Sequence, residues 1–243
     1  MNKNTLRGFA VSGLLVMGLT ACGGSGSSTD AGPAPANETS APTPTAAKQY
    51  TSAELTDLVK QIKPADGSEL TVTAIDDLAA QANPLKELMG SMNIEPAECK
   101  DLAMSGASQS IEGSTGATGA KVDTATGSVS SVALVSGVPA ETLQKSLEGS
   151  ESQITTCSSM KMTMGGTALS MKTEKLDGVG SVPGTVGLKT TMTLPGGQAQ
   201  STVMAFAVKG GVLISATASG QDGGTDGAAE AGALMDQAAA LVK

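Results

Sequence analysis

The chain has 243 residues, no histidine, no tryptophan, one tyrosine, two phenylalanines and a formal charge of -8. The missing histidine excludes Ser/His and Cys/His nucleophilic systems and His-ligated zinc, and so few rings cannot build a stacking platform for sugars or nucleobases. The acidic balance argues against nucleic acid, and against an anionic lipid surface held by charge alone.

The first segment carries Lys3 and Arg7 ahead of the apolar run Phe9 to Met17, with no acidic residue before Asp30. That run is about half of the ~20 residues a spanning helix needs, and it ends in small residues, so residues 1–21 are predicted to be a signal peptide. Leu19, Thr20, Ala21 and Cys22, just ahead of Gly23 and Gly24, read as a lipoprotein cleavage box. Cleavage is expected between Ala21 and Cys22, with the Cys22 thiol joined to diacylglycerol, because small side chains let the peptidase close on the backbone and a thiol is needed for the thioether. Two acyl chains on one residue anchor stably where one would not. Losing Lys3 and Arg7 takes the net charge from -8 to -10.

Residues 22–49 read as a disordered, lipid-anchored linker, first Gly/Ser-rich and then Pro/Ala/Thr-rich, with Pro33, Pro35, Pro42 and Pro44 and no apolar period. As a flexible coil, Gly23 to Lys48 spans roughly 25 to 31 Å root-mean-square, enough to hold a domain clear of headgroups. Thr39, Ser40, Thr43 and Thr45 among the prolines are acceptors for O-linked sugars, with an unmodified spacer the preferred reading.

Residues 50–243 are expected to form a single domain. Thr51 and Glu54 make a capping box for a helix carrying Leu55, Leu58, Val59 and Ile62, which Pro64 stops. Alternation predicts a strand over Glu69 to Ile75. Asn83 and Pro84 open a helix with Leu85, Leu88 and Met89, and Pro96 opens a short one with Cys99, Leu102 and Ala103. Gly106 to Gly119 is poor in apolar residues and reads as a surface loop.

Val129 to Val135 is the next strand, followed by a helix through Leu143, Leu147 and Ile154. Met160, Met162 and Met164 alternate up to Gly165 and Gly166, and Leu169, Met171 and Thr173 alternate away, the pattern of a hairpin. Strands over Val186 to Leu194, Thr202 to Val208 and Val212 to Ala218 continue a meander, and Ala228 to Val242 closes as a helix. The predicted fold class is α+β: an antiparallel sheet with helices packed on it, an N-terminal helix and a closing C-terminal helix.

With this order of elements, with Pro96, Ala97, Glu98 and Cys99 opening a short helix, with Cys157 after the mid-domain helix and with an Ala-rich closing helix, the domain resembles the extracellular sensor-type domain of the actinobacterial kinase PknH. The resemblance covers roughly Tyr50 to Lys243. It implies a disulfide-bonded antiparallel sheet with a solvent-exposed cleft, outside the cytoplasm, on a chain of the kind that also occurs as a lipoprotein. Relatives usually carry a second cysteine pair and more aromatic residues.

Once Cys22 is acylated, Cys99 and Cys157 are the thiols left, and export places this even pair where bridging is normal. The alternative is two buried, unpaired cysteines acting as small hydrophobes. Thioethers at the spacing of Met160, Met162 and Met164 can hold Cu(I), but methionine as core filler replacing the missing aromatics is the preferred reading. Asp222 and Asp226 sit in a Gly-rich loop with oxygens suited to Ca²⁺, against the preferred reading of a loop in which Asp226 or a neighbour caps the last helix. Gly178, Gly180 and Gly184 miss the dinucleotide fingerprint and read as a connection between strands.

No catalytic residue, cofactor or metal is therefore expected; a Ser/Lys pair is the one formal route to an enzyme. The function expected is a non-enzymatic, membrane-anchored extracytoplasmic module that binds a small ligand or an envelope protein. The expected partners are the membrane, through lipid on Cys22, and that ligand or protein, with no nucleic acid; the site is the extracytoplasmic side of the cell membrane. The alternatives are a lipid or glycolipid carrier with a Met-lined cavity, and a structural surface lipoprotein.

Overall fold

The computed structural model describes residues 48–75, 93–100, 113–164, 166–220 and 225–243, all within one unit, Thr45–Lys243. Their framework is a nine-stranded antiparallel sheet: β1 Thr71–Ala74, β2 Asn93–Glu95, β3 Thr115–Val122, β4 Val129–Ser136, β5 Ser159–Met164, β6 Thr167–Leu176, β7 Val186–Thr193, β8 Ala199–Lys209 and β9 Val212–Gly220. The order across the sheet is β1-β3-β4-β9-β8-β7-β6-β5-β2. Strands β5 to β9 form the expected meander, while β1 and β2, consecutive in the chain, stand at opposite edges. The expected α+β class is the one observed.

Three α-helices are described: α1 Ser52–Val59, α2 Ala140–Thr156 and α3 Thr225–Leu241. Thr51 caps α1: its hydroxyl accepts the Glu54 N–H while the Glu54 carboxylate accepts the Thr51 N–H, the reciprocal box that satisfies two orphan donors. Helix α3 buries Ala231, Leu234, Met235 and Ala238, the i, i+3, i+4, i+7 stripe of an amphipathic helix.

Along β8 and β9, Val203, Ala205, Ala207, Val212, Ile214, Ala216 and Ala218 alternate onto the face that carries α1 and α3, forming one core with them. Ala205 lies directly opposite Ala216, so small side chains on the strands meet small side chains on α3 and the two layers sit close. Ala207, Ala216, Ala231 and Ala238 are wholly buried.

The opposite face carries a second core of Ile94, Cys99, Cys157, Met160 and Met162. Register fixes the side: Met160 faces Met171, Met171 faces Met192 and Met192 faces Gln200, which alternates away from Ser201 and Val203. Helix α2 crosses this face against β6 and β8, burying Leu143, Leu147 and Ile154.

Two local readings change. Gly106 to Gly119 is not all loop, because Thr115–Val122 is a strand paired on both sides, with Ala117 fully buried. Its core-facing residues are small, Ala117 and Gly119, and at Gly119 the reason is α1: a Cβ there would stand 2.6 Å from Val59 Cγ1. The segment opened by Pro96 begins as a 3-10 turn, Ala97–Cys99, with Lys100 already in α-helical conformation where the described residues stop, and the three-residue strand β2 before it was not expected. The helix expected from Asn83 lies outside the described residues, as do Leu102 and Ala103. Among the described residues no helix is long and apolar enough to cross a membrane.

Candidate functional site

Among the described residues a groove of about 680 Å³ lies on the α1/α3 face, at one end of the sheet. One wall is the turn after α1, Pro64 to Asp66. The second is the β3–β4 hairpin, with Lys121, Asp123, Ser128 and Ser130. The third is the start of α3, with Gly227, Ala229, Glu230 and Ala233. The floor comes from β8 and β9: Ser201, Val203, Ala218, Ser219 and Gly220.

Each wall is fixed by local chemistry. After α1, Gly67 has φ +75°, and Asp66 accepts the Ser68 N–H at 3.0 Å and the Ser68 hydroxyl at 2.6 Å, closing a tight Asx-type turn. The Lys121 ammonium reaches across from β3 to pair with Asp66. That ammonium first, and the Ser68 donors second, hold the Asp66 carboxyl well below its ordinary range. The β3–β4 turn is built the same way: Asp123 accepts the Ala125 N–H at 2.8 Å and the Thr126 N–H at 3.1 Å. Those backbone donors, Thr126 then Ala125, lower its pKa too.

Helix α3 clamps the first wall. Glu230 accepts the Ala65 N–H at 3.1 Å, and the Gln237 amide both accepts the Lys63 N–H at 3.1 Å and donates to the Lys63 carbonyl at 2.9 Å. On the floor, Ser201 shares a hydrogen bond with Thr191 at 3.0 Å, and Ser219 accepts the Val129 N–H at 3.2 Å. The groove is thus hydroxyl-rich and lined by no aromatic ring, with the carboxylates Asp66, Asp123 and Glu230 against the single ammonium of Lys121. Such a lining offers acceptors to a polar ligand rich in hydrogen-bond donors, neutral or cationic.

Of the residues singled out by sequence, Cys99 and Cys157 are brought together as a disulfide, Cα atoms 5.6 Å apart, buried beneath the second core. Met160 and Met162 are buried beside it, where they fill space between the strand and the bridge. Gly178, Gly180 and Gly184 have positive φ in the β6–β7 connection. That connection docks on α3, with Asp236 accepting the Ser181 N–H at 2.7 Å and a Cβ on Gly180 falling 3.1 Å from the same carboxylate.

Ala21, Cys22 and Asp222 lie outside the described residues, and of Asp226 only the backbone is described, within the first turn of α3. Among the described residues no three His, Cys, Asp or Glu side chains converge as metal ligands. No groove residue was singled out from the sequence. The Asp-Gly-Ser and Asp-Thr-Ala-Thr-Gly turns were legible signals, but that they face each other is a property of the β3 register.

No protein-family model matches the chain, and no curated protein matches it in sequence. Among solved structures, the extracellular domain of PknH from Mycobacterium tuberculosis is similar to it at 13% sequence identity and a TM-score of 0.48, covering 79% of this chain and 97% of that chain. At that level no functional residue is carried across.

Proposed function

We propose that the protein is a non-enzymatic lipoprotein module of the cell envelope, tethered through diacylglycerol on Cys22 at the extracytoplasmic face and binding a polar ligand or an envelope protein at the groove between α3 and the β3–β4 hairpin. The observation that carries the reading is the Leu19-Thr20-Ala21-Cys22 box behind a short, basic-flanked apolar run. The bridged Cys99–Cys157 pair supports it, since such bonds persist in oxidising compartments. The groove supports the binding half: its walls are prefixed by hydrogen bonds and its polar groups converge, as pre-formed ligand sites do. Residues 1–21 then act as the signal peptide, residues 22–49 as the spacer and residues 50–243 as the binding domain.

Radioactive palmitate labelling tests the anchor: wild type takes label and fractionates with membranes, whereas Cys22→Ala does neither. An unlabelled wild type refutes the tether. For the groove, Ser130→Trp fills it from the hairpin wall. Chemical-shift mapping with a panel of envelope saccharides and peptides should show shifts around Asp66, Lys121 and Glu230 that this variant abolishes. Shifts located elsewhere, or unchanged in Ser130→Trp, refute the groove as the site.

A further inference from the structure

The sheet register regroups the methionines. Met160 on β5 stands directly opposite Met171 on β6, and Met171 directly opposite Met192 on β7. Direct cross-strand neighbours have Cβ atoms about 4.5–5.5 Å apart, closer than side chains two apart along one strand. Three thioethers therefore stand side by side on three adjacent strands. Met160 is 4% exposed, while Met171 and Met192 are half-buried at the edge of the same core. Filler alone would be sealed along its length, whereas this row runs from a buried sulfur out to two that solvent reaches.

The surroundings suit a soft ion. Lys161 and Lys172 alternate to the opposite face, and Lys175, four residues beyond Met171 on the row's own face, has its ammonium paired with Glu151 of α2. The neighbouring cysteine sulfurs are bridged to each other and offer no thiolate.

We propose that Met160, Met171 and Met192 form a thioether site for a soft monovalent cation, Cu(I) or its redox-inert analogue Ag(I). Thioether sulfur is a soft, neutral donor that selects Cu(I) over hard or borderline divalent ions. Unlike thiolate or imidazole it has no proton to lose, so binding is independent of pH across the range where Cys and His sites titrate. The flexible methionine stem lets three sulfurs converge on an ion above Met171 without moving the strands.

The test uses the full chain with Cys22→Ser, which removes the competing thiol, titrated with silver nitrate in chloride-free buffer and followed by native mass spectrometry and methionine methyl carbon spectra. The result expected is one Ag(I) per chain, three methyl signals shifted together, and the same affinity at pH 5 and pH 8. Met171→Leu/Met192→Leu conserves volume at the half-exposed positions and so keeps the fold; it should weaken binding at least tenfold, while Met235→Leu beneath α3 leaves it unchanged. A chain that takes up no Ag(I), or a double variant that binds as tightly as its parent, overturns the proposal. So does affinity that falls steeply toward pH 5.

Discussion

The hydroxyl of Tyr50 and the backbone of Lys243 hold each other from both sides: the Lys243 N–H donates to Tyr50 Oη at 2.9 Å and that hydroxyl donates to the Lys243 carbonyl at 3.1 Å. The Tyr50 N–H donates in turn to the buried Ser136 hydroxyl at 3.1 Å, and the Thr115 hydroxyl to the Tyr50 carbonyl at 2.6 Å. One residue thus joins the entry of α1, strands β3 and β4, and the end of α3. The last of these links depends on the phenol alone.

Tyr50→Phe keeps the ring, which is 5% exposed, and removes both bonds to Lys243. A net value near 1 kcal/mol per hydrogen bond predicts a loss of about 1–2 kcal/mol. Urea unfolding should show a lower midpoint at unchanged slope, and hydrogen exchange should quicken first in the last turn of α3.

Gly119 carries the seat of α1. A Cβ there would meet Val59 Cγ1 at 2.6 Å and Leu70 Cδ1 at 3.0 Å, so Gly119→Ala overpacks a rigid contact and should cost about 1–3 kcal/mol. Gly149 is the opposite case: it is exposed inside α2 with nothing within 4 Å of its missing Cβ. Gly149→Ala should raise stability by about 0.5–1 kcal/mol. Thermal unfolding of the two variants, moving in opposite directions, checks both.

Those two glycines also mark where the sequence could be read and where it could not. Elements whose signal is local were legible: the Thr51–Glu54 box that starts α1, and the alternating methionines of β5 that pair with β6. Strand β3 was hidden because its core-facing positions hold only alanine and glycine, and at Gly119 that choice is set by a helix more than fifty residues earlier in the chain. Strand β2 was hidden because three residues carry no period. The order of the sheet, with β1 and β2 at opposite edges, depends on long-range pairing that no local pattern encodes. The groove inherits that blindness, since Asp66, Lys121 and Glu230 meet only after the sheet has assembled.

The Cys99–Cys157 bridge ties the 3-10 turn beside β2 to the end of α2, across a sequence separation of 58. In the chain-entropy view a loop of that size is worth about 4 kcal/mol, a large share of the 5–15 kcal/mol typical of a domain. The second core, made of methionine, isoleucine and the bridge itself, has no aromatic residue to compensate. Cys157→Ser should therefore lower the melting temperature by ten degrees or more and leave Cys99 open to alkylation in mild urea. Two free thiols in the denatured, unreduced wild type would remove this account of stability.

The Asp66–Lys121 pair gives stability a pH dependence whose sign follows from its direction. The folded carboxyl titrates below its ordinary value of 3.8, because Lys121 and the Ser68 donors favour the charged form. The unfolded state therefore binds the proton more readily, and the contribution is fully present above that value and fades as pH falls through it toward the folded pKa. Asp123, Glu54 and Glu174 are lowered in the same direction, by backbone N–H donors for the first two and by Lys172 for the last, so they add to the same acid limb. Between pH 5 and pH 7 the unfolding midpoint should be flat, and below about pH 4 it should fall. Both partners are partly exposed, so salt should weaken the effect, and Asp66→Asn should make the acid limb shallower while lowering the plateau. An acid limb of the same slope in Asp66→Asn would show that this pair does not hold the α1–β1 turn against the hairpin.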